Sequence, residues 1–316
     1  MVSPSRSRSS IQVARLITRG RIRKVVLAFQ HDVSQYELPA TPDEELVAVS
    51  SEPYRSVADA NDRLQRLEEL LRDRRDRRSI FLTVYTRMTR QIRKRIDRGG
   101  FADPSWIREY TTTFANYYRR AFLAFERANA ELLPDPWRIA FGTAARDSAL
   151  VIQDALLGIN AHINYDLALT LRDVGIDPDR PAKRADHQVV NDVLAKLIDI
   201  QQSVLADVYA PAIRDIDALF GRVDERISLF GLSEGRAQAW RVAVVLVDVP
   251  WSSVKSAARW LLTTTATGSA AVVLGSWLDS PDFRRLQQFE REEATFDEVM
   301  TTLRTRLDAD LAEDPV

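Results

Sequence analysis

At 316 residues, with 45% hydrophobic and 28% charged side chains, the chain has ordinary globular composition, which excludes wholesale disorder. A formal charge of −1 supplies no overall field toward nucleic acid or acidic membranes, and no nucleic-acid partner is expected. The absence of cysteine removes disulfides, thiolate nucleophiles, thiolate zinc sites and iron–sulfur clusters, and suits a reducing cytoplasm.

The N-terminal stretch is rich in Ser and Arg and lacks the apolar core of a signal peptide. Residues 1–55 are expected to form a partly disordered arm, with Lys24–Phe29 as one short strand. Ser56 opens the first helix in capping-box style, with an acid three residues on and Leu64, Leu67, Leu70 and Leu71 on one stripe. A second helix runs from about Ile80 to Arg98 and stops at Gly99-Gly100. Asp103-Pro104 and Asp135-Pro136 start the third and fourth, since Asp caps well and Pro tolerates the first turn. The third carries Trp106, Tyr110, Phe114, Tyr117, Phe122 and Phe125. The fourth reads as one long element ending at Gly175, with Gly158 as its weak point.

After a connector with prolines at 178 and 181, a fifth helix spans about Asp186 to Leu229, with Pro211 kinking or dividing it. The sixth runs from Ser233 to about Leu278, interrupted by Pro250. Trp240, Trp251, Trp260 and Trp277 along it read as core or interface residues. Its apolar stretch Leu261–Leu278 holds four Thr, two Gly and two Ser, so a buried helix is expected there and no membrane span. Ser280-Pro281 starts the last helix. The expected architecture is all-α, a bundle of about seven long helices, several kinked by Pro or Gly. Residues 56–279 form the core domain and 280–316 a C-terminal helix packed on it.

Most of the fourth helix from Ile139 onward is apolar, yet it contains Asp154, Asn160, His162, Asn164 and Asp166. His162 and Asp166 are four apart and share a face. Asp154 lies two turns earlier, and Gly158 between them is expected to leave open space. His187 opens the next helix, with Asn191 four residues on and Asp192 beside it. Buried polar groups need partners, which here are each other, a metal or a ligand. His162, Asp166 and His187 would form a His₂-carboxylate set for zinc, manganese or iron. His31, followed by Asp32, lies in the arm and is a weaker donor. Tyr85, Arg87 and Arg138 could line the site beside Asn160, Asn164 and Asn191, although surface ion pairs explain the arginines equally well. A hydrogen-bond network that only fixes helix register explains the same polar residues.

Thr83-Val-Tyr-Thr-Arg-Met-Thr89, Pro136-Trp-Arg-Ile139, Gly158 through Leu167, and His187 with Val190-Asn191 resemble a family of microbial proteins classed as a domain of unknown function. The resemblance covers roughly Ser56 to Leu278, and the Asn-Ala-His-Ile-Asn-x-Asp-Leu segment carries it. It implies no activity, only that these segments travel together.

Several enzyme motifs are excluded. Zincins need Glu directly after the first His, where Ile163 stands. Helical di-iron proteins need Glu three residues before His, and no histidine here has it. No phosphate-cradling Gly-rich loop is present. Class I terpene cyclases need adjacent aspartates, which the chain lacks; Asn191-Asp192 through Asp199 echoes their second magnesium motif, with Ala195 where a hydroxyl is needed. Three function classes therefore remain. One is a metal-dependent hydrolase of a phosphoester or small polar substrate, with His162, Asp166 and His187 on the ion and Asp154 or Asp192 as general base. The second is a terpene-cyclase-like or lipid-binding pocket. The third is a non-enzymatic protein with a structural polar network. The partner in the first two is a small molecule, and homo-oligomerisation is compatible with all three.

Overall fold

The computed structural model describes residues 18–213, 232–275 and 281–313, and all of its regular structure is helical. The first seventeen residues of the predicted arm, the fifth helix beyond Ile213, and Trp277 lie outside the described residues.

The helices are α1 (Arg19–Gln30), α2 (Glu44–Ser51), α3 (Val57–Asp73), α4 (Ser79–Asp97), α5 (Pro104–Glu126), α6 (Asp135–Ala145) and α7 (Val151–Ala161). A π-helical turn (His162–Asp166) joins α7 to α8 (Leu167–Val174). Then follow α9 (Arg180–Ile213), α10 (Leu232–Asp248), α11 (Ser252–Gly275), α12 (Pro281–Glu292) and α13 (Phe296–Glu313). The expected all-α bundle is present, cut into more and shorter pieces than seven.

The predicted starts of α3 and α5 are capped as expected. Ser56 Oγ accepts from the Asp59 amide at 3.1 Å, and Asp103 accepts from the Trp106 amide at 2.9 Å. Gly99 supplies the positive φ that ends α4. The Lys24–Phe29 strand is a helix instead. Thr18 caps it, and its Val25 and Val26 pack against α11, where Gly268 lets the Lys24 carbonyl approach without a Cβ in the way. Farther along the predicted arm, Tyr36, Leu46 and Tyr54 are buried in the main core.

The fourth predicted helix departs most from expectation. It breaks at residues 146–150, a stretch without Gly or Pro, where Asp147 takes a positive φ. Arg77 holds the break, donating to Asp147 at 2.6 Å and to the Ala149 carbonyl at 2.7 Å. At Gly158, by contrast, the helix continues. The missing side chain leaves no open space, because the Phe81 ring fills it. The α7–α8 rod lies at the centre, with α4, α5, α6, α10 and α11 around it.

Gly158→Ala is expected to destabilise the protein by about 1–2 kcal/mol, because overpacking against Phe81 outweighs the helix-propensity gain of Ala. Urea denaturation checks this, and an unchanged or raised midpoint would show that α4 can yield.

A buried His–Asp pair beside a buried arginine

The π turn is where the polar segment sits. Leu167 N–H bonds to the His162 carbonyl five residues back, so one extra residue fits in the turn. His162 Nδ1 lies 2.9 Å from Asp166 Oδ2, and the same oxygen accepts from Trp137 Nε1 at 2.8 Å. His162 is only 2% exposed. Its ring stacks on Phe114 at a centroid distance of 3.6 Å and meets the Tyr85 ring edge-on at 4.5 Å.

Phe114 belongs to a stripe along α5. Trp106, Tyr110, Phe114, Tyr118 and Phe122 recur every four residues and all are buried. The stripe carries the site one turn farther. Tyr110 Oη lies 3.1 Å from His187 Nδ1 on α9, and Arg236 Nη2 on α10 lies 3.3 Å from Tyr110 Oη and 3.5 Å from His187 Nδ1. Gly235, which packs against the Asn164 amide with no room for a Cβ, allows this close approach of α10.

Arginine has only donors, so Tyr110 Oη accepts from Arg236 Nη2. With Tyr110 donating to His187 Nδ1 the His187 hydrogen is on Nε2; with Nδ1–H donating to Tyr110, Nε2 is a bare lone pair. Among the described residues His187 Nε2 has no partner, and neither do Arg236 Nε and Nη1. His162 Nε2 and Asp166 Oδ1 are unpartnered as well. Burial, reinforced by the Arg236 charge, holds both histidines well below their ordinary 6.5, and burial raises Asp166 well above the carboxylate range. With Asp166 ionised, His162 Nδ1–H donates to it and Nε2 is a bare lone pair; with Asp166 protonated, Nε2 carries the hydrogen.

Arg236 is 1% exposed, and no carboxylate among the described residues contacts it. Beside His187 a cleft of about 330 Å³ opens to the surface, walled by Arg184, Gln188, Asn191, Trp240 and Arg241. Arg180 at its rim is occupied by Asp177 and Asp248.

The structure thus joins Tyr85, His162 and Asp166 in one place and puts His187 and Asn191 together at the cleft. The amides form a relay, Asn164 Nδ2 to Asn160 Oδ1 and Asn160 Nδ2 to the Ala266 carbonyl, both at 2.9 Å. Other expected members lie elsewhere. Asp154 faces Arg77 at 2.6 Å, and burial raises its pKa to about 7. Arg87 is bound between Glu68 and Asp308, Arg138 donates to the Tyr36 and Ser34 carbonyls, and Asp192 is exposed. His31 bonds to Tyr36. Among the described residues, no three His, Asp or Glu side chains come together as metal ligands. The reason is visible in the pairing: Asp166 engages His162 Nδ1, while His187 Nδ1 belongs to Tyr110 and Arg236. Trp137, Tyr110 and Arg236 are not singled out as site residues by the sequence; the i+4 aromatic spacing on α5 points to Tyr110 alone, and Trp137 stands only in the family-like segment Pro136-Trp-Arg-Ile139.

Fold and site define an all-helical protein with a buried polar centre. The model of a family of unknown function, DUF5995, matches residues 57–276, and the chain belongs to that family. No curated protein and no solved structure matches it.

The neutral histidines couple stability to pH. The unfolded chain protonates first as pH falls through the ordinary 6.5, so their contribution is full above that value and lost below it. Asp154 acts in the opposite sense, removing stability as pH rises from its ordinary 3.8 toward about 7. His187→Gln should therefore lose less stability than wild type between about pH 6.5 and 5, by up to about 1.4 kcal/mol per pH unit. Parallel pH profiles from urea denaturation would show that His187 is charged in the folded state.

Proposed function

We infer that the chain binds a small organic anion, a carboxylate or phosphate, at Arg236 and His187. The observation that carries this reading is a buried guanidinium that, among the described residues, meets no carboxylate and whose Nε and Nη1 lack acceptors, beside an unpartnered His187 Nε2. Such a set of donors is costly in a folded core unless an acceptor-rich ligand completes it. The adjoining cleft reaches His187 between cationic walls and the Trp240 ring. The His162–Asp166 pair adds a proton donor or acceptor at Nε2, which supports general acid–base chemistry on a bound substrate.

A divalent-metal hydrolase built on His162, Asp166 and His187 is the second reading. Unpartnered His162 Nε2 and Asp166 Oδ1 favour it. The Arg236 charge beside His187 opposes a cation there. Nothing in the site specifically supports a terpene-cyclase-like pocket.

Arg236→Met separates these readings. For an anion site, the variant should gain about 1 kcal/mol or more of stability by losing an uncompensated buried charge, while thermal stabilisation by inorganic phosphate or small carboxylates disappears. A destabilised variant that still responds to the anions would remove the anion reading. Zinc, manganese or iron present at one equivalent in protein prepared without chelator, and lost in His162→Ala, would establish the metal reading in its place.

A further inference from the structure

The outer face of α1 and α11 is built unlike the rest of the surface. A groove of about 530 Å³ runs between these helices, lined by Ile22, Val25, Val26, Val254, Ala257 and Trp260 among others. Large apolar side chains stand out around it: Phe29 is 74% exposed, Trp260 52% and Trp251 46%. Of the tryptophans expected in core or interface, Trp240 is buried while Trp251 and Trp260 are at the surface, and Trp260 is in ring contact with Phe29. Monomeric proteins rarely expose such a continuous apolar patch without a use.

Its charge is one-sided. Neither α1 nor α11 contains an acidic residue, while Arg19, Arg23, Lys255 and Arg259 lie along them. Among the described residues flanking the two helices in sequence, Asp248 is ion-paired with Arg180, which leaves Asp32 beyond the end of α1, hydrogen-bonded to Ser34. A second copy docked symmetrically would set these cations against their own images. An anionic lipid surface matches both properties at once, because aromatic rings settle at the headgroup boundary and basic residues meet the lipid phosphates. Among the described residues no helix is long and apolar enough to cross a membrane, so the contact is with the surface.

We propose that the α1–α11 face docks the protein on anionic membranes, with Phe29, Trp251 and Trp260 entering the interface and Arg23, Lys255 and Arg259 selecting negative headgroups.

The test is co-sedimentation of the full chain with vesicles of phosphatidylcholine alone and of equimolar phosphatidylcholine and phosphatidylglycerol. Partitioning should be at least about tenfold stronger on the anionic vesicles and should fall as salt is added. Trp251→Ser with Trp260→Ser should abolish it with the thermal midpoint retained, since both rings are exposed. Arg23→Glu with Arg259→Glu should remove the preference for anionic lipid. Absence of binding, or equal binding to both vesicles, overturns the proposal. Concentration-dependent self-association that the tryptophan variant abolishes, without vesicle binding, assigns the face to a second copy and also overturns it.

Discussion

Asp166 Oδ2 is the point from which the interior is organised. It faces an imidazole nitrogen and an indole N–H at hydrogen-bonding distance, in a region closed to water. A carboxyl group buried at that depth is tolerated only with its partners held in place. Each partner fixes an element: Trp137 sets α6, and His162 sets the phase of the π turn. The Phe114 ring against His162 then fixes α5, whose i+4 aromatic stripe carries the arrangement on to Tyr110 and α9. A regular α-helical turn at 162–166 would give these side chains different directions, which is a physical reason for the inserted residue.

Polar groups in this core fall into two kinds, and the distinction separates architecture from chemistry. The Asn164–Asn160–Ala266 relay and the Arg87 clasp on Glu68 are closed circuits in which donors meet acceptors. Such networks specify register between helices. Arg236 belongs to the other kind. Its contacts among the described residues are a phenol, an imidazole and a carbonyl, all neutral, and two of its nitrogens meet no acceptor there. Folding alone gives no reason to keep a charge in that state, and replacement by an apolar residue would relieve it.

The helical class, the capped starts of α3 and α5 and the concentration of polar groups in the His162 segment were all legible in the sequence, because each rests on local chemistry. A polar run stands out against apolar neighbours whatever the tertiary structure. What failed depended on angle or on distant partners. Asp154 was placed with His162 on a two-turn spacing, yet eight residues of α-helix leave a rotation of roughly 80°. That rotation turns Asp154 toward Arg77 and His162 toward Phe114. The break at 146–150 was hidden because an arginine from α4 stabilises it, with no local Gly or Pro to announce it. Arg236 is one arginine among many in the sequence, distinguished by a tertiary environment in which no described carboxylate contacts it. Gly158 looked like a gap because sequence cannot show that a ring from another helix occupies it.

The near-zero net charge was a poor guide for the same reason. Acids are concentrated on helices such as α3 and α13, while α1 and α11 carry none. Charge on a folded protein acts through its local density, because screening confines each group to a distance of about 10 Å at ordinary ionic strength. Two cationic faces therefore coexist with a formal charge of −1. Both are built on α10, where consecutive residues Val244 and Val245 wall the polar cleft and the apolar groove respectively. A single helix thus presents one face to the buried arginine site and the other to the exposed aromatic surface, so any shift of α10 acts on both.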